Sequence, residues 1–236
     1  MKYSIFTIII FSVLVVSCSE QQYFVKGKST QSTLDGEYAY MAPMTSYSLP
    51  YIDSCRVVHG QFEMTGPLDS IQCVTIYMGS TGIPMVLETG EVTINFQNSN
   101  IHVSGTPLND RFYTFLNTRD SLVFIQKELY DRISSMSVYS TMSTYETDAN
   151  SIRTITAQID SLECAFVEEN YDNVLGVSWF LRMCDEASSN AGYYCMPPKL
   201  QTIYNTAPPS FKMNREIQHF REMCKGALYN QGYYNY

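Results

Sequence analysis

The residues with the most chemistry in this chain are seven cysteines, three histidines and a few adjacent carboxylate pairs. Cys18 closes the tetrapeptide Val15-Val16-Ser17-Cys18, directly after an almost unbroken apolar run from Ile5 to Val16. A branched apolar residue, a small residue and then cysteine is the pattern of a bacterial lipobox, in which the cysteine is acylated and becomes the mature N-terminus. The run is about a dozen residues, within the ~7–15 of a signal-peptide core and short of the ~20 that a membrane span needs. Residues 1–17 therefore read as a cleaved lipoprotein signal peptide and Cys18 as the lipidation site.

Six cysteines follow: Cys55, Cys73, Cys164, Cys184, Cys195 and Cys224. An even number in an exported chain permits disulfides, with the pairing left open. None lies in a C-x-x-C, so the spacing of a dithiol redox centre or a zinc knuckle is missing. His59, His102 and His219 show no metal-ligand spacing. Glu168-Glu169 and Asp185-Glu186 are neighbours on predicted helices, where adjacent side chains diverge by ~100°, so neither pair forms a facing acid/base dyad locally. Gly105-Thr106 before a helix could hold an anion, although a structural cap is the simpler use. No G-x-S-x-G is present. The expectation is a protein without catalytic, cofactor-binding or metal-binding residues.

The balance of 15 basic against 23 acidic residues gives a net charge of −8 and argues against nucleic acid, which needs clustered Lys and Arg to neutralise phosphates. The densest basic stretch, Lys212 to Lys225, is interleaved with Glu216 and Glu222 and reads as a solvated helix face. Tyrosine is abundant at 19 residues, which suits half-exposed strands and contact surfaces.

Two halves of the chain differ in period. Short alternating strands are predicted at 22–29, 36–41, 55–59, 61–66, 71–78, 83–88, 91–97 and 100–104. The clearest places Val92, Ile94 and Phe96 on one face. His59-Gly60 and Thr89-Gly90 sit where tight turns are needed. After Thr106-Pro107 the period becomes helical. Leu122, Ile125, Leu129, Ile133 and Met136 make one stripe, and Ile152, Ile155, Ile159, Leu162 and Phe166 a second. A third helix, from Val174 to about Cys184, is apolar nearly all round, and a last one starts near Arg215 with Asn214 as cap. The polar stretch 134–150 reads as a loop or frayed join. The expected architecture is α+β: an antiparallel β-sandwich-like domain at 23–105 behind a short tether at 18–22, a helical region at 106–228, and a Tyr-rich tail at 229–236.

Several segments also carry a family likeness. Leu34-Asp35-Gly36-Glu37-Tyr38, then Val57-Val58-His59-Gly60-Gln61-Phe62-Glu63-Met64-Thr65-Gly66, resembles the strand and hairpin of family 4369 in the domain-of-unknown-function series. Val86-Leu87-Glu88-Thr89-Gly90-Glu91-Val92 is similar to that family's "l-E-x-G-x-i" turn, and Ser104-Gly105-Thr106-Pro107-Leu108-Asn109 to its "GTxxN" junction into a long helix. Phe166 to Asn173 is similar to a later segment of such chains. The resemblance implies an envelope lipoprotein domain of the kind found ahead of thioredoxin-like modules, here ending without the C-x-x-C module. It lends no catalytic residues.

From these readings the expected function is a non-enzymatic binding or accessory module, attached to the outer membrane through its lipid and meeting an envelope protein partner or ligand. The alternative is a part in envelope thiol–disulfide chemistry with a thioredoxin-like partner. On helical geometry Cys184 and Cys224 fall on apolar stripes and should be buried, whereas Cys164 and Cys195 should be the more accessible. If the strands bearing Cys55 and Cys73 were outer members of a simple meander, they would lie ~9–10 Å apart, too far to bridge.

Overall fold

Period-two alternation builds all eight expected strands, with ends shifted by a few residues. They are β1 (Gln22–Ser29), β2 (Tyr38–Pro43), β3 (Asp53–Arg56), β4 (Gln61–Pro67), β5 (Gln72–Met78), β6 (Thr81–Leu87), β7 (Gly90–Gln97) and β8 (Asn100–Ser104). The structure, a computed structural model, describes residues 21–44, 51–97, 100–135 and 142–233; Cys18 and the signal segment lie outside them. Inward residues alternate strictly along β1, and Val92, Ile94 and Phe96 of β7 are all buried.

The strands form two four-stranded sheets, in the orders β4-β1-β7-β8 and β3-β2-β5-β6. Face to face they enclose a core that includes Val25, Met41, Val74, Ile76, Ile94 and Val103. The antiparallel expectation needs one correction, because β1 and β7 pair in parallel. Alternation has the same period in both kinds of ladder, so sequence could not separate them. Nor is there a local meander. The His59-Gly60 turn, with positive φ at both residues (52° and 71°), carries the chain from β3 in one sheet to β4 in the other. Only Gly fits at position 27, since a Cβ there would land in the ring of Phe62 on the paired strand.

Six helices follow among the described residues: α1 (Pro107–Ser134), α2 (Met142–Glu169), α3 (Val174–Ala191), α4 (Pro198–Thr206), α5 (Pro209–Lys212) and α6 (Arg215–Tyr233). Asn214 caps its helix as the sequence suggests, and the starts of α3, α4 and α5 are equally local. Asn173 Oδ1 accepts from Leu175 N at 3.0 Å, and Asn214 Oδ1 accepts from Glu216 N at 2.9 Å. Pro198 and Pro209 each occupy a first-turn position. Three expected boundaries move. α2 begins at Met142 inside the supposed loop, α3 continues seven residues past Cys184 to Gly192, whose φ of 78° ends it, and α6 extends through Tyr233 into the supposed tail.

α1 runs along one side of the sandwich, touching the edge strands β6 and β8, while α3 packs on β5. Phe112, Phe115, Phe166 and Trp179 form an aromatic cluster continuous with the sandwich core. Burial along α1 is concentrated between Asn109 and Leu116. Beyond that the helix packs on α2, and Ile125, expected in the buried stripe, is 45% exposed.

Candidate functional site

Where α1 leaves the sandwich, a cleft of about 730 Å³ opens between it, the edge strands β6 and β8, and α3. Pro84, Ile101, Tyr113 and Leu116 give it apolar walls, and Phe124 and Ile125 form an exposed apolar rim. Pro84 suits an outermost strand, where a missing N–H costs no ladder bond. The Tyr113 hydroxyl donates to the Pro84 carbonyl at 3.0 Å, tying helix to strand, and burial pushes that phenol well above its ordinary range.

Two guanidinium groups close one end. Arg119 is committed: its Nε donates to the Glu163 carboxylate at 2.6 Å, and Nη1 lies 3.5 Å from Asp120. Arg182 is different. It keeps an exposed side, yet its head stacks 4.5 Å from the centre of the buried Trp179 ring. Burial, and then the neighbouring charge of Arg119, lower its pKa. Among the described residues no carboxylate or carbonyl accepts a hydrogen bond from it. The indole Nε1 of Trp179 is likewise buried without an acceptor.

The motif residues do something else. Asn109, fully buried, uses its amide as an extra strand on the free edge of β6: Nδ2 donates to the Val86 carbonyl at 2.7 Å, and Oδ1 accepts from Val86 N at 2.9 Å. Glu88, at the end of β6, accepts from the backbone N–H groups of Leu108 and Asn109 at 3.0 and 3.2 Å. Thr106 makes no side-chain cap; its Oγ1 instead accepts from Asn109 Nδ2 at 2.8 Å. The helix terminus that might have held an anion is therefore filled by the chain's own carboxylate, which complements both the free N–H groups and the dipole.

Residues 23–112 match DUF4369, a domain of unknown function. The DUF4369 match thus covers the sandwich and the part of α1 that Glu88 and Asn109 fasten to it. No curated protein and no solved structure matches the chain.

The remaining sequence candidates are dispersed. Cys18 lies outside the described residues. His59 sits exposed in the turn leading into β4, His102 is on β8 against the Tyr113 ring, and His219 is exposed on α6. Both members of Glu168-Glu169 and of Asp185-Glu186 are exposed. Among the described residues no group of His, Cys, Asp or Glu is placed to hold a metal ion.

All six described cysteines are free. Cys55 faces Ala39, which faces Met78, so Cys55 and Cys73 are two strands apart and displaced along them. That separation is ~20 Å at normal sheet spacings, well beyond a disulfide's reach. Cys184 is buried as expected, and burial followed by the nearby Cys224 raises its thiol pKa. Cys224 is corrected from buried to half-buried, because α6 inserts into the core at Ile217 and Phe220 and is only partly covered further along. Cys195 lies near Cys184 and Cys224, whereas Cys164 has Lys199 and Asp160 for neighbours. The useful pair for the cleft, Arg119 and Arg182, comes from two helices distant in sequence. The one local signal was Arg182 itself, the only basic residue in the apolar run of α3.

Proposed function

We propose that this protein is a lipid-anchored module of the cell envelope, held at the outer membrane through Cys18, that binds a ligand or envelope partner without transforming it. The observation that carries the binding reading is the cleft between α1, α3 and the two sheet edges, with the Arg182 guanidinium uncommitted at one end. Concave sites with apolar walls and a few convergent polar groups are where ligands are usually held. The polar motif residues Glu88, Asn109 and Thr106 are consumed in joining helix to sandwich, so they support a scaffold rather than a reaction.

The alternative, a redox role beside a thioredoxin-like partner, draws support from the grouping of Cys184, Cys195 and Cys224. Against it, burial raises the pKa of Cys184 and Cys224, and a relay thiol works as the thiolate. Two experiments test the proposal. Labelling with an alkyne fatty acid should mark the wild type and not Cys18→Ala; equal labelling would remove the anchor. A photo-reactive residue replacing the exposed Phe124 should give an adduct in the native envelope that the same residue at the exposed Tyr130, about 120° around α1 and away from the cleft, does not. Identical outcomes at the two positions would remove the cleft reading.

A further inference from the structure

We propose that the cleft takes a small organic carboxylate with an apolar or aromatic body, its head paired with Arg182 and its body against Ile101, Leu116 and Phe124. This rests on the binding reading above and adds the class of ligand. Arg182 is set apart by its position: it lines the cleft and stacks on the buried Trp179, and among the described residues no hydrogen-bond acceptor meets it. Arg119, its neighbour over the same Trp179 ring, shows how this site treats an arginine that has a partner: Glu163 sits against it at 2.6 Å from a largely buried position.

Arg182 has the stacking platform with no carboxylate in hydrogen-bond contact among the described residues. Its planar fork of donors matches a carboxylate in a bidentate geometry. Packing against Trp179 fixes the guanidinium plane, so little rotamer freedom remains to be lost when a ligand arrives. Ile101, Leu116 and Phe124 put apolar surface in the same cleft, among polar residues such as Asn100 and Ser121, which would favour an anion carrying a hydrophobic body over a small, fully hydrated one. Tyr113 and Asn117 also line the cleft, and the volume of about 730 Å³ lies within the range of small-molecule sites. The charges of Glu186, Glu163 and Asp120 all reach Arg182, and of these Asp120 is the one that lines the cleft; it is 68% exposed and points toward Arg119. Like charges repel, so its removal should strengthen anion binding.

The chain contains a single tryptophan, and it is the one beneath Arg182, so its intrinsic fluorescence reports on the site without a label. The test is a fluorescence titration with 3-phenylpropionate, 3-phenylpropanol and 3-phenylpropylamine, which share one body and differ in head group. The carboxylate should bind with a Kd of ~1 mM or tighter. The alcohol should bind ~10-fold more weakly, and the amine should give no saturable change. Arg182→Gln should bring the carboxylate down to the level of the alcohol, Arg182→Lys should recover part of the loss, and Asp120→Asn should tighten the carboxylate ~2–3-fold. Because Arg182 and Asp120 are exposed, these variants keep the core intact, and an unchanged far-UV spectrum and urea midpoint check it. Equal binding of alcohol and carboxylate, with no effect of Arg182→Gln, would overturn the carboxylate assignment while leaving a binding cleft. No change with any probe up to ~10 mM would overturn the assignment as well, and the Phe124 crosslink then decides the binding reading separately.

Discussion

The Glu88 carboxylate and the Asn109 amide face each other across the join of sandwich and helix, with Asn109 Nδ2 3.3 Å from Glu88 Oε1. Both are buried, and together they satisfy Val86 of an edge strand and the first free N–H groups of α1. Asn109→Ala would strip the Val86 N–H and C=O of their partners inside the protein. Urea unfolding should show a loss of about 2–4 kcal/mol. Asn109→Asp should be at least as damaging, since it places a second carboxylate against Glu88 and removes the donor. A midpoint within error of the wild type for both variants would show that the join is not held this way.

The buried thiol of Cys73 gives a pH signature. Burial pushes its pKa up to about 11. A thiol raised on folding is stabilising while protonated in both states, and that contribution is lost as pH rises from the unfolded value near 9 through 11. Stability should therefore fall by up to about 2–3 kcal/mol across that window. Cys73→Val should flatten this part of the profile when urea midpoints are compared at the two ends. An equal slope in the variant would assign the loss to other groups.

Alkylation of the native protein at neutral pH should rank the thiols by exposure. Cys73 and Cys184, at 7% and 0% exposure, should label only on the timescale of unfolding. The half-buried Cys55, Cys164, Cys195 and Cys224 should all label faster. Fast labelling of Cys184 would mean that α3 does not sit where it is described.

In insulin reduction assays the protein should show no catalytic turnover. None of the six described thiols lies in a C-x-x-C, and burial raises the pKa of five, namely Cys55, Cys73, Cys164, Cys184 and Cys224. Turnover abolished by one Cys→Ser change would promote the redox reading over the binding one.

What could be read from the sequence follows from the range over which each signal acts. Strand positions are written locally: Val92, Ile94 and Phe96 declare their face by alternation alone. Partner choice is not, and so the parallel β1–β7 ladder and the separation of β3, β4 and β5 between sheets emerge only in three dimensions. Asn214 announces a helix start because a cap bonds its own next turn, and Asn173, not read as a cap from the sequence, does the same for α3. The start of α1 misled, since its N–H groups are satisfied by Glu88 from another element rather than by Thr106. The cleft was invisible for the same reason. Its guanidinium pair is assembled from α1 and α3, and its apolar rim uses Ile125, a residue that helical periodicity alone assigns to the interior.

The central claim is that the protein binds through the cleft beside Arg182, and the most direct measurement reads that side chain. In an NMR titration with 3-phenylpropionate, the Nε–H resonance of Arg182 and the indole N–H of Trp179 should shift together and saturate. Arg56, whose Nε donates to the Gly36 carbonyl on the far sheet edge, should stay fixed as an internal reference. Saturable binding that leaves Arg182 and Trp179 unmoved, or a shift of Arg56 as large as theirs, would contradict the account.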